Sequence, residues 1–163
     1  MLQRRQLRGH TKSILCLGAS EEGSNLLMSG SEDSTARLWD LRTERAQKCF
    51  TGCFSGEPID SLVLGPPTQE NLVYLGSGGS VYIFDLRKDG ILDRHPIAIA
   101  GVIPDGEDID INAIAIHPKG HLLAAASDDG GVHLVDLATI LANTNAVSLP
   151  GAPPPSPPRN ESN

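Results

Sequence analysis

No apolar run in these 163 residues approaches the ~20 needed to carry a helix across a bilayer, so no transmembrane span is expected. The start, Met1-Leu-Gln-Arg-Arg-Gln-Leu-Arg8, is basic but leads into no apolar stretch of signal-peptide length. Cysteine is sparse and odd in number: Cys16, Cys49 and Cys53 suit buried thiols in a reducing compartment better than a disulfide framework. Positive charge is in deficit. With 13 Lys and Arg against 20 Asp and Glu, the formal charge of −7 speaks against nonspecific attraction to nucleic acid or to an anionic membrane. The run Arg4-Arg5 with Arg8 is too short to reverse that. A soluble chain of the cytoplasm, the nucleus or both is expected, with neither nucleic acid nor membrane as a partner.

Chemistry-bearing motifs are lacking too. Gly76-Ser-Gly-Gly-Ser80 has the glycines of a phosphate loop but no Gly-Lys-Ser/Thr ending, and it lies between two strands rather than before a helix. Cys49 and Cys53 have no second Cys or His pair at zinc-finger spacing. The acidic stretch Asp105-Gly-Glu-Asp-Ile-Asp110 lacks the ligand spacing, central glycine and closing glutamate of a calcium loop. His10, Ser29 and Asp33 have the residue types of a hydrolase triad without a nucleophile elbow. His95, His117, His121 and His133 form no ligand-like group. No catalytic residue, cofactor or metal is therefore expected.

What the chain does have is a repeat. Gly30-Ser-Glu-Asp-Ser-Thr-Ala-Arg-Leu-Trp-Asp-Leu-Arg42 ends in Trp39-Asp40, and a Gly9-His10 pair lies upstream of it. The terminal pattern returns as Phe84-Asp85 and Val135-Asp136, at separations of 45 and 51 residues. Between these endings run short apolar stretches bounded by turn residues: Ser13 to Leu17, Leu26 to Ser29 (broken by Gly30), Thr35 to Trp39 and Ala46 to Phe50 in the first unit. The second unit predicts strands at Ile59 to Leu64, Leu72 to Leu75, Ser80 to Phe84 and Ile97 to Ala100. The third predicts Ile111 to Ile116, Leu122 to Ala126 and Val132 to Val135, with a helical turn at Ala138 to Ala142 and a fourth strand at Ala146 to Leu149. Strict alternation is missing in several strands, as expected of sheets covered on both faces. From Pro150 to Asn163 the chain is proline-rich and is expected to be an extended, disordered tail.

Gly-His to Trp-Asp is the signature of a WD40 blade, a four-stranded antiparallel sheet, and the chain resembles the WD40 family over about residues 7 to 137. The resemblance implies an all-β partial propeller of about three four-stranded blades within residues 1–149, at about 7–51, 52–101 and 102–149. It also implies that His10, Ser29, Asp33 and Trp39 form the hydrogen-bonded tetrad that ties such a blade together. The second unit departs from the pattern, with Gly78 where the Asp should be and Phe84 for Trp. The third keeps Ser127 and Asp129 around its turn but has Val135 for Trp. Closed propellers have four to eight blades. Three units are expected to stay open, as a truncated or alternatively terminated product or one that closes by association, and an open piece is expected to self-associate.

Two units end alike, in Trp39-Asp-Leu-Arg42 and Phe84-Asp-Leu-Arg87. In WD-repeat substrate receptors a Trp-Asp-x-Arg ending in consecutive blades marks docking to the adaptor of cullin-4 ubiquitin ligases. The resemblance thus makes Trp39, Asp40, Arg42, Asp85 and Arg87 candidates for adaptor docking, with both arginines on one rim. The alternative is that each arginine merely pairs with its own blade's Asp or with Glu44. Asp105, Glu107, Asp108 and Asp110 are candidates for receiving a basic peptide, against the plainer reading of a solvated loop. The expected role is a non-catalytic protein-binding scaffold, of the cullin-4 substrate-receptor type or a general one, with an enzyme ranked last.

Overall fold

The computed structural model describes residues 5–20, 25–103 and 109–144. They form three sheets. The first takes β1 (Ile14–Ala19), β2 (Leu26–Ser31), β3 (Ala36–Asp40) and β4 (Arg45–Phe50) in antiparallel order. The second takes β5 (Ser61–Leu64), β6 (Leu72–Ser77), β7 (Ser80–Asp85) and β9 (Ala98–Gly101), and a 3-10 turn at Pro67–Gln69 joins its first two strands. The third takes β10 (Ile111–Ile116), β11 (Leu122–Ser127) and β12 (Val132–Asp136), followed by α1 (Leu137–Thr144). Consecutive strands within each sheet pair antiparallel, and the sheets do not close on one another, so the architecture is an all-β partial propeller.

The second sheet explains why its strands read as unbroken apolar runs. One of its faces sends Leu62, Val73, Leu75 and Phe84 against Met28, Leu38 and Phe50 of the first sheet. The other face sends Tyr74, Val81 and Ile83 against Ile111, Leu123 and Leu137 of the third unit. Both alternate sets of a strand such as Leu72-Val-Tyr-Leu75 are therefore removed from water, and no polar position is needed. At the first joint Phe84 meets Phe50 edge-on with ring centroids 4.9 Å apart, while Phe54 meets Tyr82 at 4.9 Å. Each such aromatic pair adds about 0.5–1.5 kcal/mol beyond area burial. At the second joint Gln69 reaches across, its amide donating to the Gly120 carbonyl (2.9 Å) and its oxygen accepting from the Tyr74 hydroxyl (2.7 Å). The free faces of the flanking sheets contrast sharply, since Leu17 is 63% exposed and Val132 70%. β5 lies between β1 and β10, so the first strands of the three sheets stand side by side.

Three features differ from expectation. Gly30 does not break its strand: β2 runs through it to Ser31, and the missing side chain makes room, since a Cβ there would lie 2.6 Å from Cys16 Sγ and 2.7 Å from Ile59 Cγ2. The first sheet has a fifth strand, β8 (Leu92–Asp93), which comes from the second unit and pairs parallel to β4. Its bonds are Cys49 N–H to the Ile91 carbonyl (2.6 Å) and Thr51 N–H to the Asp93 carbonyl (3.0 Å). In the third unit the helical turn is a longer helix, α1, and the fourth strand expected at 146–149 lies outside the described residues, as do the polar turn at 21–24 and the tail at 150–163.

Cys16, Cys49 and Cys53 are free. Burial pushes the Cys16 thiol up to about 12 and Cys53 to about 11, and raises Cys49 as well, so all three are thiols rather than thiolates at neutral pH.

Candidate functional site

Four side chains from separate parts of the first unit converge into one buried chain. Asp33, in the turn between β2 and β3, faces His10 Nδ1 at 3.0 Å. His10 Nε2 lies 2.7 Å from Ser29 Oγ, and the Trp39 indole N–H donates to the same oxygen at 2.8 Å. The donor count sets the proton positions. Ser29 Oγ accepts from Trp39 and gives its own proton to Nε2, so Nδ1 carries the imidazole proton and donates it to Asp33. The side chains of His10 and Asp33 are 3% and 6% exposed. Asp33 also accepts from the Thr35 hydroxyl (2.5 Å) and from the backbone N–H groups of Thr11 (2.9 Å) and Thr35 (3.1 Å). Burial alone would raise this carboxyl, but the bonds from Thr35, Thr11 and His10 outweigh it and bring it down to about 2.

The strand registers show what stands at the same places in the other sheets. Ser29 pairs with Leu17 in the first sheet, Leu75 with Leu62 in the second and Ala125 with Ile114 in the third. Trp39, Phe84 and Val135 likewise pair with Leu27, Val73 and Leu123. The hydroxyl and the indole are thus replaced together, by Leu75 with Phe84 and by Ala125 with Val135. Losing both partners of a buried hydrogen bond is nearly neutral, whereas losing one strands the other. Ser127 occupies the place of Ser31, two residues further on than Ser29. There it donates to Asp129 and lies 3.0 Å from His133 Nε2, itself 3.1 Å from Asp129 Oδ2. The third unit has its own small polar clasp, built with a histidine from β12.

The two arginines stand at matching ends of adjacent sheets, just beyond β3 and β7. Arg42 grips Asp40 through Nε (3.1 Å) and Nη2 (2.9 Å), and Arg87 grips Asp85 through Nε (3.0 Å) and Nη2 (2.6 Å). The Arg42 guanidinium beside Asp40 holds that carboxyl at about 2, and Arg87 lowers Asp85 in the same way. Each arginine therefore pairs with its own blade's Asp, while Glu44 takes Arg5 at 3.5 Å. The side chains are nevertheless 70% and 69% exposed, and neither Nη1 has a partner among the described residues. At the same end of the sheets opens a groove of about 810 Å³ lined by Leu17, Leu26, Leu62, Leu64, Leu86 and Ile116. Trp39 is 2% exposed, so it supports this rim from inside and presents no surface to a partner. Of the acidic candidates for a basic peptide, Asp110 is exposed at the start of the third unit. Asp105, Glu107 and Asp108 lie outside the described residues.

A family model for the WD domain, G-beta repeat matches residues 2–40 and 102–136. The unmatched middle is the unit with Phe84 in place of Trp and a two-residue turn, Gly78-Gly79, between β6 and β7. The chain is 26% identical over 132 residues to WD repeat-containing protein 53 homolog of Dictyostelium discoideum, covering 81% of this chain and 34% of that protein. It is 32% identical over 144 residues to guanine nucleotide-binding protein subunit beta of Oryza sativa subsp. japonica, covering 83% and 35% respectively. Among solved structures the C-terminal WD40 domain of Sif2 superposes with a TM-score of 0.62 at 19% identity, over 78% of this chain and 35% of that one. The chain spans about a third of the length of the curated relatives it matches.

Asp33→Asn keeps the shape of the turn but removes the charge that the four donors converge on. With the folded carboxyl at about 2 against an ordinary 3.8, it is expected to cost about 2 kcal/mol at neutral pH, measured by urea unfolding. A depressed carboxyl stabilises the fold above its ordinary value and loses that contribution as pH falls from about 4 towards 2. The difference between wild type and variant should therefore narrow over that window. A constant gap would show that the charge is not what matters.

Proposed function

We propose, for a chain that carries WD40 repeats and folds as part of a WD40 propeller, the role of a non-catalytic scaffold that binds other proteins through the rims of its sheets. The observation that carries this reading is the pair of exposed guanidiniums, Arg42 and Arg87, displayed at matching ends of neighbouring sheets beside an apolar groove. Each is held in one orientation by its own aspartate, so little side-chain freedom is lost when a partner docks. The more specific reading is that this rim docks the adaptor of a cullin-4 ubiquitin ligase, as the two Asp-Leu-Arg endings suggest. A general scaffold without a ligase connection is the second reading. It draws support from the bidentate Arg–Asp pairs, which give both arginines a local structural role. The relatives' names place them in a G protein and, for the 30% identical Bos taurus protein, in a target of rapamycin complex, and those names carry no ligase. Self-association belongs to the same proposal, because Leu17 and Val132 leave apolar faces uncovered on both flanks.

Two outcomes are expected. Arg42→Glu with Arg87→Glu should reduce co-precipitation of the adaptor by about tenfold or more, the effect of losing two interfacial charge contacts; unchanged recovery rejects adaptor docking. In size-exclusion chromatography the chain should elute earlier as its concentration rises. A compact monomer at every concentration would reject self-association.

A further inference from the structure

Both joints between neighbouring sheets are made in the same way, and the two flanks of the molecule carry the two halves of a third. At each joint an isoleucine of the later unit lies over a glycine of the earlier sheet and donates its backbone N–H to a carbonyl there. Ile59 lies over Gly30, where a Cβ would come within 2.7 Å of its Cγ2, and bonds the Ser31 carbonyl at 3.1 Å. Ile111 lies over Gly76, where a Cβ would come within 3.5 Å of its Cγ2, and bonds the Gly78 carbonyl at 3.1 Å. Both isoleucines are fully buried. Beside them, Leu62 sits so close to Gly18 that a Cβ there would collide with it.

Strand register carries these places onto the flanks. Ile14 pairs with Ser31 as Ile111 pairs with Ser127, and Leu17 pairs with Ser29 as Leu62 pairs with Leu75. Yet Ile14 is 51% exposed and Leu17 63%, against 9% for Leu62. On the third sheet Ala126 follows Ala125 as Gly30 follows Ser29, and Ala115 pairs with Ala124 as Gly18 pairs with Met28. Val132 and Leu134 pair with Ala126 and Ala124 as Ala36 and Leu38 pair with Gly30 and Met28. Ala36 and Leu38 are buried in the first joint, whereas Val132 is 70% exposed and Leu134 66%. One flank thus presents the projecting isoleucine and leucine of a joint, and the other presents the small residues that receive them. The 3.5 Å at Gly76 is ordinary van der Waals contact, so a single methyl such as that of Ala126 fits beneath an isoleucine.

The two bare faces complement each other and not themselves, so copies of the chain meet head to tail. Closed propellers have four to eight blades, and with three sheets in each chain two copies supply six whereas three supply nine. We propose, resting on the self-association put forward above, that two copies close a ring of six sheets. The third sheet of each packs on the first sheet of the other, with Ile14 over the partner's Ala126 and Leu17 against the partner's Ala115.

Sedimentation equilibrium of the full chain should show a monomer in exchange with a species of twice its 17.2 kDa and nothing larger. Leu17→Glu and Leu134→Glu, both at exposed positions, should each weaken dimerisation about tenfold or more, since a charge would be buried in the joint. An equimolar mixture of the two variants should recover part of the loss, because one intact joint remains between them. Chains carrying Leu17→Cys and Ala115→Cys, mixed and oxidised, should give a disulfide-linked pair, while neither alone and not the wild type should do so. Arg42→Glu with Arg87→Glu should leave dimerisation unchanged. Species that keep growing past two copies would overturn the ring and leave self-association standing, whereas a monomer at every concentration would overturn both. Self-linking of the Leu17→Cys chain, or dimerisation unaffected by Leu134→Glu, would overturn the head-to-tail pairing.

Discussion

The buried run of hydrogen bonds from Asp33 through His10 and Ser29 to Trp39 is the interaction on which the first blade depends. It ties the loop that carries His10 to the turn and the paired strands that carry Asp33, Ser29 and Trp39, and it gives the indole N–H, which is 98% withdrawn from water with its ring, the acceptor it needs. Because Trp39 is pinned, the next residues leave the sheet in a fixed direction. Asp40 then locks Arg42, so a side chain exposed at the rim is positioned from the buried core behind it.

The second blade reaches the same geometry without that chain. Leu75 and Phe84 take the places of the hydroxyl and the indole, and packing on both faces supplies what the hydrogen bonds supply in the first. Its position between two other sheets makes this workable, since an apolar pair there is never exposed. The cost appears at its turn. Shortening the connection to Gly78-Gly79 removes the polar turn residue of the first blade and leaves the buried Ser77 hydroxyl without a partner among the described residues.

The strand rhythm was legible because glycine and proline turns bound nearly every apolar run, and the tetrad was legible through the resemblance that Gly9-His10 and Trp39-Asp40 carry. What could not be read were features set by neighbours. Leu92–Asp93 is a two-residue strand only because the edge of β4 is there to pair with it. Gly30 reads as a breaker in isolation but is an opening for Cys16 and Ile59. That Ser127 corresponds to Ser31 rather than Ser29 follows from register. Arg42 and Arg87 stood out by their repeated ending, whereas their grip on Asp40 and Asp85 was one of two arrangements the residues allowed.

If the hydroxyl and the indole matter as a pair, removing both must cost less than the separate losses combined. A double-mutant cycle of Ser29→Ala and Trp39→Phe, followed by urea unfolding, measures this directly. The account predicts a coupling of about 1–3 kcal/mol, with the double variant no less stable than Ser29→Ala alone, because the partnerless indole has gone. Strictly additive losses would contradict it.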